Sequence, residues 1–249
     1  MNLQDFSTGF DTLLNSYASR ASFGDQAPRA EIVLDEYEKS LYLTSAQDAE
    51  ILSLYSGKNA YGDSFESTEE VRRYLSNLIA EERLEPITTS SGYPLGIESH
   101  SKFFTLPENL WFITYESILL NGDVNNKCIK DGTMMEVVPV SQDEYHRIRK
   151  NPFRGANDRR ALRLDLADGV VEIICNYDIK SYYVRYFRRA RPIILTDLSD
   201  TNLTVNGESH IIDPYKPCEL HDALHQRILE RAVMMALRSK GINIENKNQ

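Results

Sequence analysis

The feature that most constrains the fold is a short alternating segment that ends in a tight turn. Residues 162–166 alternate leucine with arginine and aspartate, and Asp168-Gly169 follows them. Strict alternation is typical of a strand, and an Asp-Gly pair supplies the positive φ angles that a two-residue hairpin turn needs. Residues 170–175 then form the returning strand. This pattern predicts antiparallel β-structure in the middle of the chain.

Further apolar segments predict additional strands around this hairpin. They are rich in β-branched and aromatic residues, which favour a pleated, half-buried surface. Residues 179–189 and 192–195 follow the hairpin, and together with it they predict an antiparallel meander. The predicted strands cover residues 103–106, 110–115, 134–140, 179–189 and 192–195, with a short one at Ile32-Val33-Leu34.

Amphipathic helices are predicted at both ends of the chain. Residues 3–19 and the segment from Leu220 to Gly241 carry apolar residues at helical spacing. Capping boxes, in which a Ser or Thr precedes a Glu or Gln by three positions, predict three further helix starts. These boxes are Thr44–Gln47, whose helix should stop at Gly57, Ser67–Glu70, whose helix should end before Pro86, and Ser141–Glu144.

The predicted class is therefore α+β, with an antiparallel β meander in the middle and amphipathic helices at both ends. The chain divides into a mainly helical region over 1–85, a mainly β region over 86–215, and a C-terminal helix and tail over 216–249. A chain of 249 residues is long enough for one or two compact domains.

Composition excludes several classes of protein. The longest unbroken apolar stretch is Ala232–Leu237, far below the ~18–20 residues that a membrane span needs. The acidic N-terminus does not resemble a signal peptide. The three scattered cysteines predict no disulfide framework and favour a reducing compartment.

Charge is distributed very unevenly. Residues 145–192 hold 12 Lys/Arg and 5 Asp/Glu, whereas the rest of the chain holds 16 Lys/Arg and 32 Asp/Glu, for a net charge of −9. A basic segment in an acidic chain can bind a polyanion, or it can bind the acidic surface of another copy.

The arginine- and aromatic-rich parts of this segment are candidate interface residues. Arginine and tyrosine are enriched at protein interfaces, but rings and arginines on a sheet also bind nucleic acid, and arginines often lie on an ordinary solvated surface. The acidic remainder disfavours DNA because it repels phosphates. The candidates are Arg154, Arg159, Arg160, Arg185, Arg188, Arg189 and Arg191, with Phe6, Phe10, Leu14 and Tyr17 of an N-terminal helix that docks on its own domain or acts as an arm on a neighbour.

Two partial matches to catalytic or metal sites are weak. Cys218, His221 and His225 have metal-ligand spacing, but a fourth ligand has no obvious source. Four side chains of the hairpin region match the carboxylate–lysine pattern of metal-dependent nucleases at the frequency expected by chance: Asp165, Asp168, Asp178 and Lys180. We therefore predict no catalytic, cofactor or metal site, and no enzyme.

Five segments spread along the chain resemble the virion ring and tail-connector proteins of crAss-like bacteriophages of gut Bacteroides. They form a pattern of packing and interface residues, without a catalytic signature, so no catalytic residue is carried over from that family. The segments are Phe10–Tyr17, Leu34–Thr44, Asn151–Arg154, Tyr186–Leu195 and Leu224–Leu237.

The resemblance implies a part of the head-to-tail assembly of a virion, made in the cytoplasm of a bacterial host. Twelve copies would form a closed ring that extends the DNA channel below the portal and contacts the tail hub and neighbouring rings. Transient contact with genomic DNA is compatible with this role, and no membrane is involved. A nucleic-acid-binding module using residues 182–191 and a metal-dependent nuclease remain the alternatives.

Overall fold

The computed structural model describes residues 1–20, 32–58, 65, 68–87, 101–122 and 130–241. The chain separates into two compact units. The helical unit contains residues 1–78 and 190–249, and the sheet unit contains residues 79–189. The helices are α1 (Leu3–Arg20), α2 (Glu36–Ser56), α3 (Glu69–Leu75), α4 (Gln142–Ile148) and α5 (His225–Ser239).

In the helical unit, α5 packs against α1 and α2. The apolar side of α1 is buried, and the Phe6 ring lies 5.4 Å from the ring of His225 at the start of α5. The predicted N-terminal and C-terminal helices are therefore confirmed, and Gly57 ends α2 with a φ of 71° as expected. No helix among the described residues is long and apolar enough to cross a membrane.

The predicted start of α2 was wrong. The helix begins nine residues earlier, after its N-cap Asp35, whose carboxylate accepts from the Glu38 amide at 2.7 Å. Thr44 of the predicted capping box lies inside the helix on its buried side. The apolar segment Ile32-Val33-Leu34 precedes the helix without forming a strand, so that prediction was also wrong.

The predicted strand at residues 192–195 was wrong because helix α2 occupies its hydrogen-bonding groups. The Ile193 amide donates to Thr44 Oγ1 at 3.1 Å, and the Leu195 amide donates to Ser40 Oγ at 2.9 Å. One turn further along α2, Gln47 Nε2 donates to the Arg191 carbonyl at 2.8 Å. Side chains of one helix face therefore replace the partner strand that this extended segment would otherwise need.

The described residues of the sheet unit form a seven-stranded sheet in the order β1-β7-β3-β4-β5-β6-β2. All neighbouring pairs are antiparallel except β4–β5, which α4 connects as a crossover. The α+β class is confirmed. The strands are β1 (Ile79–Leu84), β2 (Lys102–Thr105), β3 (Leu110–Leu120), β4 (Met134–Pro139), β5 (Arg160–Asp165), β6 (Val170–Ile174) and β7 (Ile179–Arg188).

The hairpin between β5 and β6 forms as predicted. Asp168 and Gly169 have φ angles of 58° and 69°, and Leu162 pairs with Ile174. The predicted helix starting in residues 67–70 is only partly confirmed. Thr68 caps α3, but the chain leaves the helix at Leu75, and Ile79–Leu84 forms edge strand β1 where a helix was predicted. Ser67 lies outside the described residues.

The sheet curls so that strands far apart in its order meet. The rings of Phe104 on β2 and Tyr182 on β7 lie 5.3 Å apart, within a core to which most strands contribute. On the other face of β5, Leu162 and Leu164 pack against Tyr145 of α4. Both faces of β5 are therefore covered.

Candidate interaction surface

The most exposed part of the basic segment is a loop between α4 and β5, here called the basic loop (residues 149–160). It carries five arginines or lysines and one aspartate. Phe153 is 85% exposed at its tip, and Arg154 and Arg159 are exposed beside it. Arg160 is half-buried and donates to the Phe153 carbonyl at 3.2 Å. Three predicted interface arginines therefore lie in the same short loop as an exposed aromatic ring.

Hydrogen bonds hold the backbone of the basic loop in place. The Asn151 side chain accepts from the Phe153 amide at 2.9 Å, and the Asn151 carbonyl accepts from the Gly155 amide at 2.7 Å. A Cβ at Gly155 would lie 2.9 Å from that carbonyl, so the loop needs glycine there. At its other end, Tyr177 donates to Asp158 at 2.6 Å. The loop presents Phe153 from a preorganised backbone.

Strand β7 presents fewer aromatic rings than a base-stacking platform needs. Tyr182, Tyr186 and Phe187 are buried in the sheet unit. The exposed Arg185 lies 3.3 Å from Glu81 of β1, and Tyr183 donates to the same carboxylate. These two hydrogen bonds lower the pKa of Glu81. Edge strand β1 therefore neutralises part of the positive charge that the sequence assigned to this strand.

The remaining predicted arginines also have partners within their own units. The Arg189 guanidinium lies 6.0 Å from the centre of the Trp111 ring, a cation–π distance. Half-buried Arg188 donates to the Arg189 carbonyl at 3.4 Å. In the helical unit, Arg191 Nε lies 3.4 Å from Glu219. Their role at an interface remains a prediction.

The predicted interface residues of α1 lie mostly inside the helical unit. Phe6, Phe10 and Leu14 are buried, whereas Tyr17 is half-buried. The structure therefore shows α1 docked on its own unit. The use of these residues at an interface remains a prediction, and it would require α1 to detach.

An open cleft in the helical unit was not predicted from the sequence. Its volume is about 440 Å³, and its aromatic walls are Tyr74 and His221, whose ring centres lie 5.2 Å apart. Among the described residues, Glu69, Glu70 and Arg73 also line it. Arg73 lies 2.8 Å from Glu69, and Tyr74 donates to Glu70. The cleft thus combines aromatic walls with two exposed carboxylates.

A buried polar cluster in the sheet unit was also missed. Arg163 on β5 donates to Glu116 on β3 at 2.9 Å, and Tyr182 donates to the same carboxylate at 2.5 Å. Burial raises the pKa of Glu116, although Arg163 and Tyr182 oppose that rise. Alternation normally places the polar residues of a strand in solvent. Arg163 is inside because both faces of β5 are covered.

The side chains of the two weak metal patterns are engaged elsewhere. Cys218 donates to Gln47 at 3.2 Å, while His225 Nε2 lies 3.2 Å from the Leu220 carbonyl. His221 instead accepts from the Ala223 amide at 3.3 Å. Within the described ranges, no group of three or more His, Cys, Asp or Glu side chains could hold a metal ion.

The nuclease-like residues do not converge either. Asp165 pairs with Arg163 at 2.9 Å and Asp178 with Lys102 at 3.3 Å. Lys180 pairs with Asp131 at 3.0 Å. Asp168 has a positive φ in the hairpin turn. These residues hold strands and turns together.

Comparison with known proteins gives a consistent result over nearly the full length. A family model described as phage tail ring protein 3/4 matches residues 1–248. The chain is 45% identical over 241 residues to ring protein 3 of Bacteroides phage crAss001, and the match covers 96% of each chain. It is 31% identical over 244 residues to ring protein 4/5 of the same phage, covering 95% of this chain and 92% of that relative.

These matches define the class: the structural ring proteins of bacteriophage particles. The chain belongs to the phage tail ring protein 3/4 family. The resemblance drawn from five segments of the sequence is thereby confirmed.

Proposed function

We propose that this chain is a subunit of a closed ring of twelve copies in the phage tail. The ring links the portal at the head to the tail and continues the channel through which the genome passes. Its partners are neighbouring copies, the portal, and adjacent ring or tail-hub proteins. The near full-length similarity to ring proteins of a Bacteroides phage carries this proposal.

The distribution of charge supports assembly into a ring. A closed ring needs two different, complementary patches on each subunit, because each contact joins one patch to another. The basic loop and the acidic remainder of the chain supply surfaces of opposite sign. The net negative charge would also limit adhesion of passing DNA. The subunit would then act through its shape and charge, without catalysis.

Native mass spectrometry of the full chain, purified over a range of concentrations, tests self-assembly. The proposal expects a single closed oligomer of twelve copies that forms as concentration rises. A ladder of open oligomers without a preferred size would contradict ring closure.

DNA binding is the rival function, and the exposed arginines of the basic loop favour testing it. A DNA-binding module should bind duplex DNA with an affinity that falls steeply as salt rises, because phosphate contacts release counterions. We expect at most weak binding from the isolated chain. Tight binding with a salt slope equivalent to several phosphate contacts would favour the rival.

A further inference from the structure

Phe153 is an exposed aromatic ring on a loop held in one conformation. The Asn151 and Gly155 bonds described above fix the backbone on both sides of the ring. An aromatic ring and a neighbouring arginine on a preorganised backbone are typical of protein interfaces, because the backbone loses little entropy when they dock. Phe153 and Arg154 project from this loop, and the described contacts of the sheet unit include no surface that covers them. We call these two side chains the knob.

The open cleft of the helical unit has the chemistry to receive such a knob. Its volume of about 440 Å³ falls within the ~300–1,000 Å³ of binding pockets and exceeds that of one phenyl ring. Tyr74 and His221 offer aromatic faces, against which a second ring packs favourably. Glu69 and Glu70 are exposed carboxylates that have one partner each, Arg73 and the Tyr74 hydroxyl, and a carboxylate has further acceptor capacity for a guanidinium beside that ring.

We propose that Phe153 of one copy inserts into the cleft lined by Tyr74 and His221 of the next copy, with Arg154 facing Glu69 and Glu70. The inference rests on the proposed function, since it names the contact that joins neighbours in the ring. The knob and the cleft are different surfaces, so the contact is heterologous and repeats from copy to copy. Charge complementarity selects a second copy as the occupant: the basic loop carries five cationic side chains against one aspartate, and the two carboxylates of the cleft outnumber its one arginine, Arg73.

A mixing experiment tests this directional contact. Phe153→Ala removes the knob and leaves the cleft intact, whereas Tyr74→Ala removes the cleft and leaves the knob. We expect each variant alone to raise the apparent dissociation constant of assembly by tenfold or more. An equimolar mixture should form a one-to-one dimer that cannot close into a ring. Tyr215→Ala is the matched control, since Tyr215 is an 87% exposed aromatic residue in another loop.

A charge exchange guards against misfolding of Tyr74→Ala. Arg154→Glu and Glu69→Arg change only exposed side chains, so both chains should fold, as circular dichroism would verify. Each should weaken assembly, and the chain carrying both should recover most of the loss. Equal weakening in the single and double variants would overturn the pairing of these two residues.

Disulfide cross-linking detects the contact between two copies even where assembly is weak. One chain carries Phe153→Cys and the other Tyr74→Cys, both with Cys128→Ser. Cys175 and Cys218 are buried, so they contribute little background. Mild oxidation should give several times more mixed dimer than pairs in which Tyr215→Cys replaces either partner. Equal yields would overturn the proposal, as would selective capture of a different phage protein by Phe153→Cys.

These outcomes separate the contact from the ring. If the unaltered chain forms rings and Phe153→Ala forms them equally well, the contact is wrong and the ring proposal stands. If the unaltered chain stays monomeric and the cysteine pairs cross-link no better than their controls, both proposals fail.

Discussion

The guanidinium of Arg163 donates to the carboxylate of Glu116 at 2.9 Å inside the curled sheet, with only 10% and 8% of the two side chains exposed. The pair joins β5 to β3 across the intervening strand β4. Breaking a buried ion pair from one side leaves an uncompensated charge and is strongly destabilising.

Arg163→Ala should therefore destabilise the sheet unit by about 3 kcal/mol at pH 7. Burial already raises the pKa of Glu116, and loss of Arg163 would raise it further. Because the pKa of Glu116 is higher in the folded state than in the unfolded state, its protonated carboxyl favours folding at low pH. That stabilisation is lost as the pH rises through the folded-state pKa of Glu116. The destabilisation measured by urea unfolding should thus be smaller at pH 5 than at pH 7.

The double variant Glu116→Gln/Arg163→Met is the control, because it removes both charges at similar volume and keeps an acceptor for the Tyr182 hydroxyl. It should recover most of the lost stability. A single variant as stable as the unaltered chain, or a double variant no better than the single, would contradict the buried-pair account.

A second prediction concerns the helix that replaces a strand partner. Thr44→Val keeps the shape of the side chain but leaves the buried Ile193 amide without its acceptor. Such a loss costs about 1–3 kcal/mol. Thr12→Val, at an exposed position of α1, is the matched control and should change stability by less than about 0.5 kcal/mol. Equal effects in urea unfolding would show that the Thr44 hydroxyl contributes nothing.

The stability of the helical unit should depend on pH through the protonation of His225. Burial lowers its pKa, and the Met1 amino group 3.1 Å from Nδ1 adds to this, whereas Asp222 and the Leu220 carbonyl oppose it. The folded unit therefore binds fewer protons on this ring than the unfolded chain. The stability that the neutral His225 ring contributes is present above pH 6.5 and is lost as the pH falls through the pKa of this ring in the folded state.

Urea midpoints at pH 7.5 and 5.5 check this dependence. The unaltered chain should lose more stability over that interval than His225→Gln, which cannot titrate. His210→Gln, which removes an exposed histidine, is the matched control. A pH profile of His225→Gln identical to that of the unaltered chain would contradict the role of His225.

Cys218 should resist modification in the folded protein. Burial raises the pKa of its thiol to about 12, so almost no thiolate forms at neutral pH. Alkylation followed by peptide mass spectrometry should label Cys218 slowly at pH 8 and fast in urea. Labelling at equal rates in the two conditions would show that the helical unit opens around Cys218.

Local patterns in the sequence predicted local structure well. The Asp168-Gly169 turn demanded positive φ, and α5 carries an apolar stripe that any amphipathic helix shows. Edge strand β1 was missed because its Glu-Glu-Arg centre favours a helix in isolation. Pairing with β7 overrides that preference, which no local signal reveals.

The candidate surfaces were predictable only in part. The basic loop was visible as a cluster of arginines close together in the sequence. The cleft was not, because His221 joins Tyr74 only after the fold brings two distant segments together. The buried position of Arg163 was equally hidden, since the covering of both faces of β5 depends on strand order.

The most direct test of the central claim is a cryo-electron microscopy reconstruction of the purified phage particle. We expect this chain to appear as twelve copies in a closed ring, coaxial with the DNA channel between the portal and the tail. A reconstruction in which the chain is a single copy, forms an open arrangement, or lies away from that axis would contradict it.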